Sequence, residues 1–143
     1  MKRLVFSLFV IGFMLAVMVS AQNKKEIRPL GLWKMVEAYS GGEQVSQEFT
    51  NRTMLFTPDN KFASMMKIGS QELIFNQGNY QMFNDSTIVM FHADGVGNLH
   101  DIANTYVIKI SDDKMYFWGY YMAGDKAKGY VSKFLEEWWV KVK

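Results

Sequence analysis

Turn signals recur along this chain at intervals too short to leave room for helices. Pro58-Asp59-Asn60-Lys61 presets φ with proline and follows it with two residues that tolerate turn geometry. Gly69-Ser70, Asn84-Asp85 and Asp112-Asp113 repeat the signal downstream. Between them lie stretches of strand length rich in aromatic and β-branched residues, at 31–39, 53–57, 62–68, 71–83, 86–92, 105–111 and 114–122, with 130–143 closing the chain. No stretch keeps a 3.6-residue apolar period for more than about two turns. Eight to ten strands joined by short turns predict an all-β fold, an up-and-down antiparallel barrel. Gly78, inside a run long for one strand, suggests a bulge or sharp bend. Residues 43–49 read as an irregular or edge segment, and 94–104, with Gly95 and Gly97, as the longest loop.

One domain accounts for 143 residues. Half the residues are hydrophobic (49%), enough for a core without staples, and there is no cysteine. Disulfides, thiolate metal sites and cysteine nucleophiles are excluded together. Residues 1–21 read as a secretory signal peptide. Lys2 and Arg3 precede an apolar run, and Val19-Ser20-Ala21 offers small residues before a cut after Ala21. The run is short for a membrane span, which needs roughly 20 residues, so no stable insertion is expected after cleavage. Residues 22–30 form a linker and 31–143 the barrel domain, in the periplasm or outside the cell. With Lys2 and Arg3 gone, the remaining Lys and Arg balance the 14 Asp and Glu. No basic stripe is left to track phosphates, so nucleic acid is not an expected partner.

The first strand candidate sets a face. In Gly31-Leu32-Trp33-Lys34-Met35-Val36-Glu37-Ala38-Tyr39, strict alternation puts Trp33, Met35 and Tyr39 together, with Lys34, Val36 and Ala38 opposite. The same rule carried around the chain takes Met35, Tyr39, Tyr80, Met82, Tyr106, Ile108, Tyr116, Trp118 and Trp138 as inward and ligand-lining. Eight methionines remain beyond the leader (Met35, Met54, Met65, Met66, Met82, Met90, Met115 and Met122), and methionine suits adaptable apolar surfaces as well as plain core.

Catalytic signatures are missing. His92, Asp94, His100 and Asp101 fall within ten residues but match no metal spacing, and read as polar loop decoration. Glu136 and Glu137 are adjacent, so on a strand they face opposite sides and cannot flank one substrate. One of them faces inward, where a partner must satisfy it. There is no Gly-x-Ser-x-Gly elbow, P-loop or dinucleotide fingerprint. The expectation is a protein that is not an enzyme, with no cofactor and no metal.

Gly31-Leu32-Trp33 resembles the Gly-x-Trp opening of lipocalins. Glu136-Glu137-Trp138-Trp139-Val140-Lys141-Val142 resembles the Glu-x-Trp-x-Arg-Val ending of a lipocalin-like family of secreted bacterial proteins whose function is not established, and Gly78-Asn79-Tyr80 before an Asn-Asp turn is similar to that family too. The resemblance implies a lipocalin-like barrel with Trp33 at its closed end and a basic side chain over it. That role falls to Lys141, where the family has Arg. The Arg-x-Tyr pair that holds a fatty-acid carboxylate in cytosolic relatives has no counterpart near the C-terminus, so a fatty-acid carrier is not implied. Two readings follow: binding of a small apolar or amphipathic molecule inside the barrel, or a filled barrel that acts through its loops and outer face. Residues 114–122 carry apolar side chains on both faces. One face must lie outside, covered or available to a second copy or a protein partner.

Overall fold

The hairpin at 57–61 shows how local chemistry sets the fold. Thr57 N–H donates to Lys61 O (2.9 Å), Thr57 Oγ1 donates to the Asp59 carboxylate (2.5 Å), and Asn60 takes a left-handed φ of 64°. Asp112 does the same at 53°. Turns of this kind link consecutive strands in the computed structural model, which describes residues 27–45, 51–93, 99–125 and 129–143. These form nine strands: β1 (Gly31–Ser40), β2 (Glu43–Gln44), β3 (Arg52–Phe56), β4 (Lys61–Ile68), β5 (Gln71–Asn84), β6 (Thr87–Ala93), β7 (Leu99–Ser111), β8 (Lys114–Asp125) and β9 (Gly129–Lys141). β1 pairs with β3, each strand from β3 on pairs with its successor, and β9 returns to β1. Eight antiparallel strands thus close into a barrel, and the two-residue β2 adds an edge to the end of β1.

Two expectations change. Residues 99–104 are strand rather than loop, because the backbone groups there pair with β6: Ala103 lies opposite Phe91 and Asn104 opposite Met90. Gly78 is not itself the bulge. Ser64 pairs with Asn76 and Met65 with Ile74, so the extra residue is Phe75. Gly78 answers a different need, since a Cβ there would lie 1.9 Å from the Phe91 carbonyl oxygen. Segments 46–50 and 94–98 and the leader at 1–21 lie outside the described residues.

The interior divides into halves. Around the start of β1 buried apolar side chains fill the barrel, among them Trp33, Met35, Phe56, Phe62, Tyr80, Ile88, Ile108, Met115 and Trp139. The expected linker ends inside this floor. Pro29 is buried and accepts a bond from Trp33 Nε1 at 2.6 Å, while Arg28 donates to Pro58 O (3.0 Å) and Tyr80 Oη (3.1 Å). Lys141 lies across the β1–β9 seam from Trp33, its Nζ 5.5 Å from the indole ring.

Trp33 is 1% exposed, so Trp33→Ala should cost ~3–5 kcal/mol. Lys141→Ala, at an exposed site, should cost no more than ~0.5–1 kcal/mol. Chemical denaturation of both variants checks this, and equal losses would contradict the assignment of Trp33 as the packed closure.

Candidate functional site

Above the apolar floor the inward positions turn polar. Simple alternation carries each strand there: Arg52 precedes Met54 and Phe56 on β3, His92 follows Ile88 and Met90 on β6, and Asn104 precedes Tyr106 and Ile108 on β7. β9 alternates without a break, and the Val36 bulge brings β1 into phase with it. Met35 pairs with Trp139 and Glu37 with Trp138, so Ala38 and its partner Glu137 point inward.

Glu137 is the centre of this region. It is 4% exposed, and its Oε2 accepts a bond from Trp139 Nε1 at 3.2 Å. Burial pushes its carboxyl up to about 7, against the pull of Arg52 and the Trp139 bond. Arg52 is itself partly buried. Desolvation lowers its pKa, and the charge of Glu137 works the other way. Its guanidinium carbon lies 4.7 Å from the centre of the Phe75 ring, placed there by the β5 bulge. Tyr106 borders the same space. Burial raises its phenol pKa most, and Glu137 adds to the rise.

A second polar group spans β5 to β8. His92 Nδ1 lies 2.8 Å from Asn76 Oδ1, and His92 Nε2 lies 2.8 Å from Asn104 Nδ2. With the amides so oriented, His92 Nδ1–H donates to Asn76 and Nε2 accepts from Asn104. Asn104 Oδ1 accepts the Met122 backbone N–H at 3.3 Å. The β7–β8 ladder stops at Tyr106 opposite Gly119, so the Asn104 side chain continues a connection that the backbones no longer make. The histidine is therefore an inward strand residue, not loop decoration. Asp94 and the side chains of His100 and Asp101 lie outside the described residues. Among the described residues no group of three or more His, Cys, Asp and Glu could hold a metal ion.

The nine residues expected to line a ligand separate into two sets. Met35, Tyr80, Tyr106 and Ile108 are buried in the interior, and Met82 packs against them. Tyr39, Tyr116, Trp118 and Trp138 face outward, and this corrects the expectation. Tyr39 is displaced by the Val36 bulge. On β8 and β9 the inward set is Met115, Phe117, Glu137 and Trp139, so their neighbours lie outside. There the Tyr116 ring stacks between Trp118 (4.4 Å) and Trp138 (4.6 Å), with Tyr39 edge-on to Trp138 at 5.7 Å. Tyr116 Oη donates to Glu136 at 2.7 Å and Tyr39 Oη to Glu37 at 2.7 Å. These residues form a self-satisfied outer ladder and do not bring their rings to the interior site. Arg52, Asn76, Asn104 and Tyr121 were not singled out from the sequence. The signal was available for Arg52, which alternation places on the face of Met54 and Phe56.

Fold and interior together define a closed eight-stranded antiparallel barrel, an architecture compatible with holding a ligand. The family model for the domain of unknown function DUF4488 matches residues 29–143, and the chain belongs to that family. No curated protein matches it.

The carboxyl of Glu137 gives a signed pH dependence. Its folded pKa of about 7 lies above the unfolded value of about 4.3. Between those values the folded state holds the extra proton, so stability is highest at acid pH and is lost as pH rises toward 7. The loss is on the order of 3 kcal/mol. Glu137→Gln should flatten the slope between pH 5 and 7.5 and should be more stable than the parent at pH 8. Urea denaturation across that range checks both, and parallel slopes for parent and variant would refute the placement of Glu137.

Proposed function

We propose that this chain is an exported, lipocalin-like binding protein that takes the polar end of a small amphipathic molecule into the upper half of its barrel. The observation that carries the proposal is the division of the interior. The floor is packed with large apolar side chains, whereas the upper half holds a buried carboxyl, a guanidinium, a phenol and an amide–imidazole group. Buried ionisable groups are costly for a scaffold to carry and concentrate at functional sites. Apolar side chains lie above them: Leu73 and Phe75 are exposed on β5, and Val45 and Leu135 pack at the edge of the core. A head-inward amphiphile would satisfy the polar groups and rest its tail on this collar.

Export rests on the leader sequence, and the lipocalin-like assignment on Trp33 under Lys141 at the closed end. The reading is non-enzymatic and calls for no cofactor, in keeping with a sequence that carries no elbow, P-loop or dinucleotide fingerprint. A second reading is favoured by the outer face of β8 and β9, where Tyr120 (64% exposed), Phe134, its ring 5.1 Å from that of Tyr120, and Tyr130 form an apolar surface. That surface suits a second copy or a protein partner.

A thermal-shift screen of medium-chain alkyl amphiphiles tests the first reading. A ligand of the native state at 100 times its Kd should stabilise the protein by ~2.7 kcal/mol. Leu135→Asp, at the collar, should weaken binding, and Trp118→Ala, on the outer ladder, should leave Kd unchanged. No shift with any head group, together with a dimer in native mass spectrometry, would favour the second reading.

A further inference from the structure

The β8–β9 hairpin outruns its neighbours. Its pairs continue to Asp125 opposite Gly129, whereas β7 leaves β8 at Tyr106 opposite Gly119 and β1 leaves β9 at Ser40 opposite Leu135. Gly41 and Gly42, both at left-handed φ, turn the chain back onto β1, where β2 pairs with Tyr39 and Ser40. Among the described residues no strand lies beside residues 129–133 on that side. Three backbone bonds fix which groups this edge presents. Gly41 N–H donates to Phe134 O at 2.8 Å and Val142 N–H to Leu32 O at 2.9 Å, whereas Lys141 N–H donates to Asp113 O at 2.7 Å. Even-numbered residues here thus turn N–H and C=O toward β1, and odd-numbered ones toward β8. β9 pairs with β8 without a register shift, so the phase carries on to Tyr130 and Ser132, whose backbone groups face the open edge. On the opposite edge of the ribbon the Met122 N–H is taken by Asn104. The β9 edge lacks the usual protections. Residues 129–133 are all exposed, Val131 at 61% and Tyr130 at 44%, with no proline, no bulge and one charge, Lys133. A ribbon of two strands is marginal in water without a third.

We propose that this edge pairs with the same edge of a second copy, β9 antiparallel to β9, in a two-fold dimer whose sheet runs unbroken across the axis. The contact goes beyond the binding reading and holds whatever the barrel contains. It uses the strand edge rather than the outer apolar face. A two-fold axis lets one short edge satisfy itself, because the identical strand matches it in length and in free groups. One register serves best. With Val131 opposite Val131 of the second copy, Tyr130 stands opposite Ser132 and each donates its N–H to the other's C=O. Symmetry repeats the exchange, so every free group of Tyr130 and Ser132 is used. An axis at Ser132 would instead set Tyr130 against Phe134, whose C=O already holds Gly41. An axis at Tyr130 would carry Ser132 past Gly129, the first residue of the strand. In the Val131 register Lys133 falls opposite Gly129, so the two lysines do not face each other. On the outer face Tyr130 lies opposite Ser132 and one diagonal step from Phe134 of the other copy, within reach of ring contact. The two Val131 side chains meet on the other face.

Sedimentation equilibrium of the protein purified from its producing cell, across the micromolar range, should show monomer and dimer in exchange. Ser132→Pro removes an N–H that the second copy needs and leaves the β8 side of the strand intact. Val131→Lys sets two ammonium groups against each other at the axis. Both variants should stay monomeric over the same range, with far-ultraviolet circular dichroism unchanged. The chain has no cysteine, so a single added thiol reports its own position. A non-hydrogen-bonded antiparallel pair holds its Cα atoms ~4.5 Å apart, within reach of a disulfide. Under mild oxidation Val131→Cys should therefore become a covalent dimer. Lys133→Cys, which faces glycine and stands far from its own counterpart, should stay monomeric. A parent that is monomeric throughout the range would overturn the inference. So would a dimer that survives in folded Ser132→Pro, or equal cross-linking at the two positions. Should Ser132→Pro fail to fold, the pair of cysteine variants still decides.

Discussion

The pairing of β1 with β9 is the constraint on which everything else in this molecule rests. Seven register pairs from Trp33 opposite Lys141 to Ser40 opposite Leu135 turn an open sheet into a barrel with an inside. The same seam fixes what the inside contains. Met35 lies opposite Trp139, and the extra residue Val36 then shifts the phase of β1, so that Ala38, a small side chain, stands opposite Glu137. A large residue at 38 would compete with the glutamate for interior space. The bulge thus performs two tasks: it ends the apolar floor and it admits a carboxyl above it.

Polar side chains in that upper half also hold strands together where backbone ladders end. β8 and β9 stay paired up to Asp125 opposite Gly129, well past the last β7–β8 pair and the last β1–β9 pair. The hairpin therefore extends beyond the barrel wall as a two-stranded ribbon, and Asn104 ties its base to β7 through the Met122 N–H. Gly119, at the point of separation, has no room for a side chain. A Cβ there would lie 2.7 Å from the Thr105 carbonyl oxygen and 3.0 Å from the Tyr106 ring. A polar network that serves architecture and a polar network that receives a ligand are not exclusive. The Asn104 amide, bonded to His92 and to the Met122 N–H, serves the first.

Much of the fold was legible because its signals are local. Turn residues located the hairpins, and the Gly-x-Trp opening pointed to Trp33, which is buried with Lys141 over its ring. The interior face was harder for a physical reason: on β8 both faces are aromatic, so alternation fixes two sets of residues but not which set is inside. Met115 and Phe117 face inward, and Tyr116 and Trp118 build the outer ladder. On β1 the bulge at Val36 breaks the period, and no residue type marks it. Adjacent Glu136 and Glu137 announced that one acid faces inward, and only the register to β1 decides that it is Glu137. Residues 99–104 looked like loop because the stretch is polar, and Asn104 shows why a polar residue can stand in a strand there: its side chain bonds to His92 and to the Met122 N–H.

The most direct test of the account is a proton–nitrogen correlation spectrum of the four tryptophan indoles during addition of a medium-chain alkyl amphiphile. Trp139 donates its indole N–H to Glu137, whereas Trp33 donates to Pro29 in the floor, and Trp118 and Trp138 stand on the outer wall. The account predicts that the Trp139 indole signal moves with ligand and that the other three stay in place. Movement of Trp118 and Trp138 with a stationary Trp139 would place the ligand outside the barrel and contradict it.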